Sequence, residues 1–255
     1  MTDPAPPSGT SFIADLGFNH RSAGDGVVGE MAVTPHILVP GTRYLRVSVA
    51  ATVADVLTGV LASGATRPRI ALTADLTVHT LSATTGSSIT MAARLLKAGR
   101  TLLVGDCWFT VEGHEQPMAL SEVSFMASPR PQDVIVTPTL DRDWMTGALE
   151  EPFHEQLGAR VVSPGVVEMD RDPYVLQPAG TIQGGAMALL AELAAETLTH
   201  RAVVGLQIRY LSTVRIGPAR TSAHPMSPDA VRVELRDSGN DRLAAVAVAY
   251  LAPAS

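Results

Sequence analysis

The chain has 255 residues, is 46% hydrophobic and 17% charged, and carries a formal net charge of −6. That balance suits one large globular domain or two smaller ones, and with no Lys/Arg cluster it gives no reason to expect nucleic acid or an anionic membrane as partner. The single cysteine, Cys107, excludes an intrachain disulfide and a cysteine-based zinc site; no apolar run reaches the roughly 18 residues of a membrane span, "MTDPAPPSGTS" lacks the pattern of a secretory leader, and a cytoplasmic location is expected.

From Phe12, "FIADLGFNHRSAGDGVVGEMAVTPHILVPGT" predicts a short amphipathic segment, a strand and a turn. A mostly apolar helix follows in "LRVSVAATVADVLTGVLAS". Then come four alternating runs, "RIALTADLTVHTL", "SSITMAARLLKAG", "TLLVGDCWFTVEG" and "PMALSEVSFMA". Their period of two and the Gly-containing turns between them predict antiparallel hairpins. "SPRPQDVIVTPTLDRDWMTGALEE", rich in Pro and Asp, reads as a connector of roughly 25 residues.

The order then starts again. "FHEQLGARVVSPGVVEMDRDPYVLQPAGT" begins at Phe153, a second apolar helix lies in "GGAMALLAELAAETLTH", and four more alternating runs end the chain. Phe12, Leu16 and Gly17 match Phe153, Leu157 and Gly158; Glu30 and Met31 match Glu168 and Met169; Pro35, Leu38 and Pro40 match Pro173, Leu176 and Pro178. The chain is read as a duplication. One helix followed by a meander predicts an α+β unit, an antiparallel sheet wrapped around a central helix. The expected units are residues 11–127 and 153–255, joined by a connector over 128–152.

Placed at 100° per residue, Val49, Val53, Val56, Leu57 and Val60 form the core face of the first helix. The opposite face carries Ser48, Ala51, Asp55, Gly59 and Ala62, small residues where a solvated helix would carry Lys, Glu or Arg. Asp55 is the only ionisable residue in that helix. The second helix repeats the pattern with Gly185, Ala188, Glu192, Ala195 and Thr199. Counted from the shared Gly-Thr, Asp55 lies two residues further on than Glu192, which predicts different helix entries. A carboxylate in a narrow, partly dry seam has a tunable pKa and can act as base or nucleophile.

Glycine is a poor helix former, yet Gly184 and Gly185 open the second helix. A helix N-terminus presents unpaired N–H groups and a partial positive charge, and glycine lets a ligand approach them. Such an end can hold the oxyanion that develops when a thioester or ester is attacked; tight packing of the helix entry is the plainer alternative. Gly184 and Glu192 are eight residues apart, about 12 Å along a helix, so one carbonyl cannot touch both. If the two units pack as a pseudo-twofold pair, Gly184 meets Asp55, and Glu192 meets "RYLRVSV", which has no glycine pair. One competent site and one degraded site are expected.

These residues resemble the hotdog-fold acyl-CoA thioesterases in their fused double-hotdog form, over nearly the whole chain outside the N-terminal ten residues and the connector. The phenylacetyl-CoA thioesterase-like pattern Asn-x-x-G-x-x-H-G-G, with an acidic residue eight after the first paired glycine, is matched by Gln177, Gly180, Gln183, Gly184, Gly185 and Glu192. Gln for Asn and Glu for Asp also resemble the 4-hydroxybenzoyl-CoA thioesterases. The resemblance implies that the Gly184 N–H polarises the thioester carbonyl, that Gln177 orients substrate or water, and that a carboxylate from the facing unit, Asp55, attacks or activates water. It further implies substrate-side roles for Gln183 and Gly185, and a water-positioning hydroxyl from Ser82 or its repeat mate Ser212. Gln183 stands where the family has histidine, and the first repeat keeps only Asp55 of the family's set.

Among the remaining residues, His79, His114 and His200 show no metal-ligand spacing, and no metal or other cofactor is expected. Asp15 and His20 resemble the acidic–histidine pair of hotdog enoyl-CoA hydratases but lie outside the equivalent segment. Arg43 and Arg46, at the start of the first helix, can be set against a CoA phosphate or simply be solvated. The leading function is hydrolysis of an acyl-CoA; the competing ones are a non-catalytic acyl-CoA binder and, third, a hydratase. An uncovered antiparallel sheet edge or face invites pairing, so a homodimer of chains is expected.

Overall fold

The computed structural model describes residues 11–128, 147–177 and 180–253. Residues 129–146 of the expected connector, and Pro178 of the repeat match, lie outside the described residues. The first unit runs α1 (Phe12–Asp15), β1 (Phe18–Ala23), β2 (Gly26–Ala32), a 3-10 turn at Pro35–Ile37, α2 (Val47–Thr66), β3 (Ala71–Thr80), β4 (Ser88–Ala98), β5 (Leu102–Val111) and β6 (Pro117–Ala127). The second runs α3 (Phe153–Gln156), β7 (Arg160–Ser163), β8 (Val166–Met169), a 3-10 turn at Pro173–Val175, α4 (Gly184–Thr199), β9 (Val203–Tyr210), β10 (Ala219–Ser227), β11 (Ala230–Asp237) and β12 (Arg242–Leu251).

All twelve strands join one antiparallel sheet in the order β1-β2-β4-β5-β6-β3-β9-β12-β11-β10-β8-β7. Each half has the same internal order, read outward from the middle, so the two units share one topology. They meet where β3 pairs with β9, Leu76 opposite Ile208 and Val78 opposite Leu206; all four side chains are buried. A β-bulge recurs at the matching place in each, beside Thr73 in β3 and beside Val203 in β9. The alternation that predicted these strands is the alternation of buried and exposed side chains along them, as in β6.

The two phenylalanines that open the repeats meet each other: the rings of Phe12 and Phe153 are buried with centroids 6.0 Å apart, a geometry that contributes about 1 kcal/mol beyond area burial. Tyr174 donates its hydroxyl to Asp15 Oδ2 at 2.7 Å, so Asp15 serves to join the two units.

α2 and α4 lie against one another beneath the sheet. α2 is 20 residues long, with mean hydropathy 1.6 over its most apolar window, which meets the length and composition of a membrane span. Its surroundings give that apolarity another use, because β3–β6 cover one side and α4 the other. The small-residue face is buried, with Ser48, Ala51 and Ala62 fully covered; its first turns form a helix–helix seam, where Ser48 meets Glu192 and Thr52 meets Gly185, whereas Gly59 lies against Phe125 of β6. A Cβ on Gly185 would stand 1.9 Å from Thr52 Oγ1, so only glycine permits this approach.

The entries of the two helices do differ. Counted from the N-caps, Arg46 and Gln183, both carboxylates come nine residues later, Asp55 in α2 and Glu192 in α4. The two-residue offset counted from Gly-Thr is absorbed in the loops before the helices. In the first unit Leu38 bridges to Leu45; in the second Leu176 bridges to Ile182, one residue sooner.

Candidate active site

The site is built at the N-terminus of α4. Gln183 caps the helix, its Oε1 accepting from the Gly185 N–H at 2.5 Å. That acceptor role fixes the amide orientation, and the Gln183 Nε2 then donates to Asp55 Oδ2 at 3.1 Å. One side chain thus satisfies an orphan helix donor and ties α4 to the carboxylate of α2. The other carboxylate oxygen, Oδ1, accepts from the Thr73 hydroxyl at 2.7 Å. Thr73 sits beside the β3 bulge, a feature that re-aims a strand residue.

Gly184 is the first residue of α4, and a Cβ there would lie 3.2 Å from Tyr210 Cζ and Oη and 3.4 Å from Asp55 Oδ2. The glycine, the tyrosine ring and the carboxylate are therefore packed together. Tyr210 donates its hydroxyl to the Gly184 carbonyl at 2.9 Å. Burial and then the charge of Asp55 push the Tyr210 phenol well above its ordinary pKa, so it remains a donor at physiological pH. Burial pushes Asp55 up to about 6, opposed by the Thr73 hydroxyl. A carboxylate titrating there is ionised at neutral pH and basic enough to take a proton.

A cavity of about 310 Å³ opens onto this group. Asp55, Thr73, Gly184, Gln177 and Ser212 supply its polar groups, and Leu72, Met126, Ile182, Met187 and Leu211 much of its apolar wall. An apolar cavity with a few convergent polar groups and a shifted carboxylate is the arrangement expected of a small-molecule site.

The equivalent place at the start of α2 is filled. Arg46, the counterpart of Gln183, is 2% exposed; its guanidinium lies 3.4 Å from Glu192 Oε1 and 3.1 Å from Glu196 Oε2. Glu192 is fully buried and accepts from the Ser48 N–H at 3.2 Å and, more closely, from the Ser48 hydroxyl. Burial works against the Arg46 charge, but the two carboxylates overcome it and raise the guanidinium pKa. Glu196 is pushed up by burial and by neighbouring Glu192. This is a closed ionic cluster with every charge turned inward. Arg46 is consequently not free for a CoA phosphate, and Arg43 donates its Nε to Thr84 O at 2.8 Å.

Asp55, Gly184, Gln177 and Ser212 are thus brought to one cavity, whereas Glu192 lies in the closed cluster. Gln183 and Gly185 adjoin the site but face Asp55, Thr52 and each other rather than its lumen. Gln177 also donates its Nε2 to Thr181 Oγ1 at 2.5 Å. Ser82 follows the far end of β3 from Thr73, roughly 30 Å along an extended strand; its N–H donates to Met118 O. Ser212 follows β9, which runs antiparallel to β3, and so returns to the cavity. Sequence reading passed over Thr73 and Tyr210. For Thr73 a signal existed, a hydroxyl at the start of the strand after the carboxylate helix. For Tyr210 the signal was "RYLS" against "HTLS", an aromatic where the other repeat has Thr80.

No family model matches the chain, and no curated protein matches it in sequence. Solved structures do match in shape. The 12:0-ACP thioesterase from Umbellularia californica superposes with a TM-score of 0.67 at 9% identity, covering 92% of this chain and 100% of that one. An acyl-ACP thioesterase from Bacteroides thetaiotaomicron gives 0.63 at 9% identity, covering 88% and 97%. A protein of unknown function with hot dog fold from Alicyclobacillus acidocaldarius gives 0.59 at 12% identity, covering 96% and 100%. The chain has the hotdog fold, in its double form. Near-complete coverage of both partners extends the likeness to both units and not to one alone. At such identities the likeness is one of fold, and the chemistry rests on the residues above.

Proposed function

We propose that the protein is an acyl-CoA thioesterase whose one working site lies between Asp55 and Gly184. The observation that carries this reading is the meeting of an ionisable carboxylate, raised to about 6, with a glycine helix N-terminus in an apolar cavity. Asp55 and Gly184 come from different units, as the 12 Å separation within one helix demands. Thioesterases among the proteins of the same fold support the reaction class.

The reaction needs no group beyond these. The thioester carbonyl oxygen accepts from the Gly184 N–H, and water attacks the carbonyl carbon as Asp55 removes its proton. The tetrahedral oxyanion keeps the Gly184 donor, which strengthens as charge develops. Collapse re-forms the carbonyl and breaks the C–S bond; the thiolate takes the proton from Asp55 and leaves as the free thiol, with the acyl group released as its acid. The Thr73 hydroxyl, spending its hydrogen on Asp55 Oδ1, has lone pairs left to accept from the incoming water. Gln177 and Ser212 line the same space for substrate.

The Glu192 end takes no part, and residues 11–127 and 153–255 act as two halves of one catalytic unit. We further propose that chains pair as homodimers; a monomer mass by light scattering at micromolar concentration would contradict that. Free-thiol release from a panel of acyl-CoAs tests the activity: turnover is expected, and binding without thiol release would establish the acyl-CoA binder instead.

A further inference from the structure

Gly184 has two flanking peptide units, and each is tied. In the peptide joining it to Gln183, the Gln183 carbonyl accepts from the Met187 N–H at 3.1 Å. In the peptide joining it to Gly185, the N–H is held by Gln183 Oε1 and the carbonyl by the Tyr210 hydroxyl at 2.9 Å. Glycine is the residue with most backbone freedom to lose, and oxyanion stabilisation depends on donors fixed before the charge develops. The Gly185 N–H is spent on Gln183, so of the two glycine N–H groups it is that of Gly184, at the cavity wall, that is left for a substrate oxygen.

We propose that Tyr210 is a positioning residue that aims the Gly184 N–H, by anchoring the Gly184 carbonyl from the neighbouring strand. Its place is set by the fold: Tyr210 ends β9 and pairs with Ala245 of β12, immediately after the Arg209–Asp75 pair with β3. Its ring packs against Gly184, and a Cβ there would approach ring and hydroxyl to 3.2 Å. The counterpart positions in the closed site are Thr80 for Tyr210 and Val47 for Gly184, the last residue of β3 and the first of α2. The tyrosine is thus present only where the glycine turn is. This proposal rests on the hydrolytic reading of the Asp55–Gly184 site.

Tyr210→Phe keeps the ring and removes only the hydroxyl. Its kcat is expected to fall roughly tenfold, less than the roughly 100-fold of losing an oxyanion donor outright, with KM changed less than about twofold, since a donor used in the transition state moves kcat. Amide hydrogen exchange of the ligand-free proteins supplies a readout independent of turnover: exchange at Gly185, whose N–H belongs to the anchored peptide and is held by Gln183 Oε1, is expected to quicken by roughly tenfold when the anchor goes. Unchanged exchange, unchanged kcat, or a loss carried by KM would each overturn the proposal. If wild-type protein releases no thiol from any acyl-CoA, the hydrolytic reading fails on that count alone, and the catalytic part of the proposal falls with it. The exchange rates then still decide whether Tyr210 holds the turn.

Discussion

The two helix N-termini of this chain start from the same topology and end in opposite chemistry. At α4, Gln183 caps the turn and reaches Asp55; at α2, Arg46 occupies the cap position and makes no capping bond. Gly184 and Gly185 correspond to Val47 and Ser48, Asp55 to Glu192, Thr73 to Val203, and Tyr210 to Thr80. One end keeps an ionisable acid beside an open cavity. The other binds its acid with a guanidinium, a hydroxyl and an N–H. The difference teaches that a duplicated site closes by supplying charge: a longer acid and an arginine fill the space and pair at 3.4 Å. Among the described residues the Asp55 end has no such cation within its hydrogen-bonding shell, and Asp55 keeps a raised pKa.

The largest stability effect should come from the closed end. Arg46→Met leaves Glu192 and Glu196 buried without their cation, and breaking a buried pair in this way costs about 3–5 kcal/mol. Chemical denaturation at pH 7.5 should show that loss. At lower pH part of it should return, as Glu196, whose pKa burial already raises, takes up a proton. A change under about 1 kcal/mol would mean that the cluster is more solvated than its burial indicates.

Gly184→Ala sharpens the comparison from the other side. Turnover should drop by roughly 100-fold, because the new methyl meets Tyr210 and Asp55 within 3.4 Å and displaces the N–H from its aim. Stability should change by less than about 1 kcal/mol, since alanine's better helix propensity offsets a small shift of the ring. Gly185→Ala should behave differently. Its methyl would run into Thr52 across the helix seam, and about 1–3 kcal/mol of stability should be lost.

The pH dependence follows from Asp55. As a base it must be ionised, so kcat/KM should rise with pH through a midpoint of about 6. Thr73 lowers that pKa by donating to the charged form; Thr73→Val should therefore move the midpoint to higher pH and lower the rate most steeply on the acid side. Stability carries the opposite sign. A folded-state pKa raised from 3.8 to about 6 favours the protonated fold, so this contribution is full below about pH 4 and lost as pH rises through 6. Asp55→Asn should be the more stable protein at pH 8, by about 1–3 kcal/mol, and equal to wild type near pH 4. The amide nitrogen can donate to the Thr73 oxygen while its carbonyl accepts from Gln183, so shape and bonding are kept.

Much of this was legible in the sequence because it depends on period and spacing. The repeat beginning at Phe12 and Phe153, the alternating strands and the small-residue helix faces follow from local patterns that the tertiary structure reinforces. The cross-unit pairing of Gly184 with Asp55 was legible because a helix rises by a fixed step. The hydroxyl beside Asp55 was not, because Thr73 lies near the start of β3 and Ser82 just past its end, and only the pairing of β3 with β9 tells which end meets the site. The offset counted from Gly-Thr shows that the helix entries differ but not that both carboxylates stand nine residues after their N-caps, since loop length is not written in local spacing. The pairing of Arg46 was not legible either, because nothing in "RYLRVSV" shows that two carboxylates of α4 lie beside it.

The most direct measurement compares turnover in Asp55→Asn and Glu192→Gln on one acyl-CoA that the wild type hydrolyses, at a temperature where circular dichroism shows all three proteins folded. The account predicts a loss of about 1000-fold or more for Asp55→Asn, as for removal of a group acting directly in the reaction. Glu192→Gln should stay within about threefold of wild type. Equal large losses would mean two working sites, and a loss confined to Glu192→Gln would contradict the assignment of catalysis to the Asp55–Gly184 end.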